Sequence, residues 1–300
     1  MSQHSTPLPI RIETESGHPD RPTVTRLAAR LRGLGSNNRW VVVNRLPYRH
    51  HDYIQAYRND DTTFDVEYLR PGASQLATTV DDVDAVIALF LDWTHQTPGW
   101  EGDRQWTPTG FTPPTPDPIA PDDEAVLRKT LQERVNEGFW TFDDVVQRTM
   151  DLHNDLTVSK TSTAMLLSEI WNDRAEEQKT WPTVTDCDRL DEAFIRLREA
   201  GITAQQNFAC CMRCGTAEIG GDAPDTDRGY VFYHMQDTEA AASGHGLHLA
   251  FGTYAKDDDP VAIGRTVVEY LTAQGLKVEW DEQPSKRILI GELTWQRRLR

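Results

Sequence analysis

Hydrophobic residues change their spacing several times along this chain, and each change marks a new kind of element. Val24, Leu27, Ala28 and Leu31 recur at helical intervals and Gly33 and Gly35 close the run, which predicts a helix over 23–34. The period then drops to two, and segments 40–43, 53–57, 63–68 and 75–77 read as strands. Phe64, Val66 and Tyr68 alternate with Asp65 and Glu67, the pattern of a sheet wetted on one face. Helical spacing returns with Val83, Val86, Ile87, Phe90 and Thr94, opened by Asp81 or Thr79 and stopped at Pro98-Gly99. Residues 38–106 therefore predict a small antiparallel sheet-plus-helix module. A polar segment, 1–37, precedes it, and its first twenty residues are expected to fray.

Six prolines between Thr107 and Pro121 predict a stiff, extended linker. Beyond it, 122–300 reads as one α+β domain, helical to 180 and sheet-containing from 181. Leu127, Leu131 and Val135 stripe a first helix, the Thr141/Asp144 capping box opens a second, and Leu166, Leu167, Ile170 and Trp171 face inward from a third. The remainder predicts a helix at 188–200, strands at 203–211, 229–235 and 247–253, and a short helix at 238–243. A helix opened by Asp259-Pro260 and closed by Gly275 follows, then strands at 277–280 and 287–295. Mixed elements joined by hairpin-length connections predict a mixed sheet with helices packed on it, in a ferredoxin-like arrangement.

Composition narrows the picture. With 38% hydrophobic and 26% charged residues the chain is globular, and no run of 18 apolar residues offers a membrane span. The polar start lacks the apolar stretch of a secretory signal, and four cysteines, three of them within five positions, do not resemble an extracellular disulfide framework. A cytoplasmic protein is expected. The net charge of −16 repels phosphate backbones, so nucleic acid is not an expected partner; a basic protein is.

Five phrases fall in order through the second half: Trp181-Pro182 with Cys187-Asp188-Arg189-Leu190-Asp191, Phe208 to Gly215, Gly229 to Glu239, Gly246 to Gly252, and Trp295-Gln296-Arg297-Arg298. Together they resemble a bacterial family catalogued as a domain of unknown function, number 6891, over residues 120–300. That resemblance implies a soluble bacterial protein and carries no activity with it. The 38–100 unit is similar to small sheet-plus-helix modules among bacterial immunity-type proteins.

The chemistry on offer is modest. Cys210-Cys211-Met212-Arg213-Cys214-Gly215 resembles one knuckle of a zinc ribbon, and a structural zinc needs four ligands. Cys211 and Cys214 could supply two, with Cys187 and His234 or His245 completing the set. On a strand, Cys210 and Cys211 would point to opposite faces. A thiolate at a strand end could instead exchange disulfides, which makes Cys211 and Cys214 a redox pair. Against both stands the plain alternative of reduced, buried thiols. His234 with Asp237 and Glu239 could form an acid/base site, or a helix cap beside a half-buried histidine. His248 is expected to be solvated, His50-His51 to be exposed, and Trp93, Trp100 and Trp106 either to line a groove or to pack at a helix end. No nucleophile elbow, phosphate loop or dinucleotide fingerprint occurs. The expectation is a non-catalytic protein-binding module, immunity- or inhibitor-like, with a zinc or thiol-redox site at the cysteine cluster as the alternative. No motif demands a cofactor, and zinc is the one these residues could take.

Overall fold

The computed structural model describes residues 7–14, 22–46, 48–221, 223–255 and 257–299. They are organised as two compact units, one comprising 1–128 with 146–176 and the other 129–145 with 177–300.

In the first unit the period-two segments pair as a six-stranded antiparallel sheet in chain order. The strands are β1 (Ile10–Glu13), β2 (Trp40–Arg45), β3 (Tyr53–Arg58), β4 (Phe64–Leu69), β5 (Leu76–Val80) and β6 (Thr107–Pro108). Register places Val43 opposite both Ile12 and Ile54, so one face carries an unbroken apolar row. On that face lie α1 (Val24–Arg32), capped by Thr23, and α2 (Val83–His95), capped by Asp82. Leu27 and Leu31 from α1 and Val86, Phe90 and Trp93 from α2 join the strand residues in a single core.

Two expectations need correcting. Residues 7–14 are not frayed: Ile10 and Ile12 are fully buried, because their alternation matches the pleat of β2, while 1–6 and 15–20 lie outside the described residues. The proline segment is not a bare linker either. Its first residues extend the sheet, with Thr109 N–H donating to the Gln75 carbonyl and Gln75 N–H to that of Phe111, each at 3.0 Å. The long helices α3 (Pro121–Glu137), α4 (Phe142–Leu152) and α5 (Lys160–Glu177) follow, and residues 146–176 belong to the first unit.

The second unit holds α6 (Asp186–Glu199), β7 (Ile202–Gln205), α7 (Met212–Glu218), β8 (Gly229–Phe232), α8 (Met235–Ala242), β9 (Leu247–Thr253), α9 (Pro260–Ala273), β10 (Val278–Glu279) and β11 (Ile288–Ile290). Its five-stranded sheet runs β10-β11-β9-β8-β7, with β7 and β8 parallel and the other pairs antiparallel. The α+β class is the one expected. The ferredoxin-like arrangement is not: β7, β8 and β9 lie side by side in chain order, and the first strand is an edge. Gly244 and Gly246, both at positive φ, turn the chain from α8 straight back beside β8, leaving no room for an interleaved strand.

Side-chain alternation divides this sheet into two faces. Val231, Leu247, Leu249 and Ile288 pack beneath α6 (Leu190, Phe194, Leu197) and α9 (Ile263, Val267, Leu271). Phe232 and Ala250 meet Ile219, Met212 and Phe208 on the other face, where α7 lies. Among the described residues, no helix is long and apolar enough to cross a membrane.

Candidate thiol site

The parallel strands β7 and β8 end side by side, and each hands the chain to a helix. Backbone pairing continues past both strand ends: Phe208 N–H donates to the Tyr233 carbonyl at 2.9 Å and Met235 N–H to that of Ala209 at 3.2 Å. Between them the chain turns sharply, with Asn207 at φ 52° and Ala209 at φ 57°. Alanine rarely adopts this left-handed backbone, so the turn holds a small strain immediately before the cysteines. It also ends β7 at Gln205, six residues short of the strand expected from the pattern.

Cys210 and Cys211 therefore do not sit on opposite faces of a strand. Cys210 lies exposed in the loop, Cys211 is the extended N-cap residue of α7, and Cys214 is the third residue of its first turn. The three sulfurs all lie within 4.8 Å of one another. Gly215 makes this placement possible, since a Cβ there would sit 2.4 Å from the Phe232 ring. Lacking one, α7 settles flat on β8, and Met212 and Ile219 grip the sheet on either side.

The sulfurs are electrostatically unequal. The Cys214 amide facing its sulfur, helped by the neighbouring thiols, lowers the Cys211 pKa. Cys214 goes the other way, pushed up to about 11 by the adjoining Cys210 and Cys211 thiols. The cap residue of α7 thus carries the thiol with the lowered pKa, and the first turn carries one that keeps its proton.

The other residues of the expected ligand set stand apart from this cluster. Cys187 is 1% exposed among Leu190, Ala193 and Phe194, where burial pushes its thiol up to about 12. His234 is the N-cap of α8: its Nδ1 accepts from Asp237 N–H at 3.3 Å, and the Asp237 carboxylate accepts from His234 N–H at 3.0 Å. Burial is the first cause of its lowered pKa, and the Asp237 carboxylate opposes it. Arg287 spans Asp237 and the His248 carbonyl, completing a structural knot rather than an open acid/base pair. Glu239 turns away to Arg134, at 3.0 Å. His248 is half-buried and His245 exposed. Among the described residues, Cys210, Cys211 and Cys214 are the one group that could converge on an ion, so the four ligands of a closed zinc site do not come together.

A second feature had no signal in the pattern. A cleft of about 290 Å³ is lined by Glu133, Arg134, Asn136, Glu137, Glu239, Ala242 and Ser243. At its base the buried Glu137 carboxylate accepts from Arg134 at 2.7 Å and from Trp140 Nε1 at 2.6 Å, and burial raises its pKa. An Arg–Glu pair three apart on a helix ordinarily reads as a solvated face. In the first unit, His50 and His51 are half-buried instead of exposed, their rings tilted by 45° with centroids 3.8 Å apart. Trp93 and Trp100 belong to the core, and Trp100 and Trp106 meet Tyr68 edge-on.

No curated protein and no solved structure matches the chain. The thiol loop, the capped α8 and the closing Trp295 all lie within residues 120–299, which match the family model described as "Domain of unknown function (DUF6891)"; the chain belongs to that family.

Proposed function

We propose that this chain is a cytoplasmic bacterial thiol protein whose second unit exchanges disulfides through Cys211 and Cys214. The observation that supports it is the paired geometry: a part-exposed sulfur with a lowered pKa at the N-cap of α7 and a protonated one within reach in the first turn. The Cys211 thiolate attacks one sulfur of a substrate disulfide; a new S–S bond forms, the old one breaks, and the departing sulfur leaves as a thiolate. Cys214 then loses its proton to solvent and attacks the Cys211 sulfur. The second substrate thiolate is expelled, and the two protein sulfurs end as a disulfide that a small-molecule thiol of the glutathione class reduces again. With a net charge of −16, the chain favours a basic protein as carrier of that disulfide, which keeps a protein-binding role within the reading.

The test is a redox titration of the full chain in thiol/disulfide buffers, with the disulfide located by peptide mass spectrometry. A Cys211–Cys214 disulfide is expected to form and to disappear in Cys211→Ser and in Cys214→Ser. Cys214→Ser should instead accumulate a mixed disulfide at Cys211. A chain whose thiols stay reduced throughout the titration would sink the proposal.

A further inference from the structure

Disulfide exchange needs two sulfurs, and this site has three. Cys210 is the residue the exchange reading leaves unused, yet its sulfur lies within 4.8 Å of both others. It is also the most exposed of the three, and the left-handed turn at Ala209 aims the chain into it. The geometry points to a second use of the same loop: Cys210, Cys211 and Cys214 form a three-thiolate site for a soft monovalent ion of the Cu(I) class, mutually exclusive with the disulfide.

Ligand number and softness carry the choice of ion. Thiolates select soft cations, and a closed structural zinc site takes a fourth protein ligand. No fourth His, Cys, Asp or Glu joins this group among the described residues, since Cys187 is sealed in the core and His234 is committed to capping α8. Cu(I) has a filled d shell and is satisfied by three sulfurs in a plane. Sulfurs about 2.3 Å from a central ion stand about 4.0 Å apart in such a plane. The three sulfurs, all within 4.8 Å of one another, lie in the range of that spacing. Binding displaces the thiol protons, so the affinity rises with pH. Oxidation removes two of the three ligands at once, which couples release of the ion to formation of the Cys211–Cys214 disulfide. This coupling rests on the exchange reading; the ion site itself does not.

The experiment is an anaerobic titration of the reduced full chain with Cu(I) against a chromophoric Cu(I) chelator, followed by X-ray absorption at the copper edge. One ion per chain with three sulfur neighbours is the expected result. Cys210→Ser should fall to two sulfurs and lose affinity on the order of a hundredfold, while still forming the Cys211–Cys214 disulfide. Zn(II), offered in the same competition, should be displaced by Cu(I). Cu(I) affinity unchanged in Cys210→Ser, or a copper environment without three sulfurs, would overturn the proposal. The two readings fail separately: copper bound by a chain that never forms the disulfide removes only the exchange reading, and a cycling disulfide without copper binding removes only this one.

Discussion

Asp237 shows how one side chain fixes a site by its partners. It is 6% exposed, and its carboxylate takes hydrogen bonds from the His234 backbone and from Arg287. Removing it orphans the start of α8 and leaves the Arg287 guanidinium without its anion, so Asp237→Ala should cost about 2–3 kcal/mol. Asp237→Asn keeps an acceptor for the cap and should cost about 1 kcal/mol. Urea unfolding of the two variants distinguishes them; equal losses would mean that charge, not capping, holds the helix start. Ala209 poses the opposite case. Its φ of 57° suits glycine, so Ala209→Gly should leave stability unchanged or raise it by up to about 1 kcal/mol, even though glycine adds unfolded-chain entropy. A clear loss in the same unfolding assay would show that the turn is not strained.

At the scale of elements, the close seat of α7 on β8 is the feature with the sharpest consequence. Gly215→Ala forces a methyl group against Phe232, so either the ring or the helix must move; the expected cost is about 1–3 kcal/mol. Because α7 carries Cys214 and its N-cap is Cys211, the same change should slow formation of the Cys211–Cys214 disulfide. In a Phe232→Leu background the alanine should cost less, and a double-mutant cycle reads that coupling. Additive losses would dissociate the glycine from the ring. The elements themselves were largely legible in the pattern. The period-two runs of β2 to β5, the apolar stripe of α2 and the Asp259-Pro260 start of α9 all specify themselves locally. What escaped was set by partners distant in sequence. β1 is only four residues long and gains its apolar row from β2. β7 ends early at the left-handed turn through Asn207 and Ala209, which bonds to the chain beyond β8 hold in place. For the same reason the cysteine phrase could bring Cys211 and Cys214 together by spacing, but could not show that Cys187 faces the core and His234 faces its own helix.

Across the whole molecule, the buried His234 and the half-buried His50 and His51 make acid the relevant stress. In the first unit, burial, with His51 and Lys160 alongside, lowers the His50 pKa from 6.5 to about 4. Burial also lowers those of His51 and, in the second unit, of His234. A histidine with a lowered folded pKa takes up its proton more readily when the chain unfolds. Its contribution is therefore fully present above the unfolded value of about 6.5 and is lost as pH falls toward the folded value. For His50 the window runs from 6.5 down to about 4. The net charge of −16 works in the opposite direction, because protonating carboxylates relieves self-repulsion as the medium turns acidic. Salt separates the two, since it screens distant surface charges far more than it alters burial. Thermal unfolding followed in high salt should show the midpoint falling steadily across that window. His50→Gln should flatten the slope for the first unit while leaving that of the second, where His234 resides, unchanged. A midpoint that stayed level or rose on acidification in high salt would mean that these imidazoles accept protons in the folded chain, and that burial does not hold them neutral.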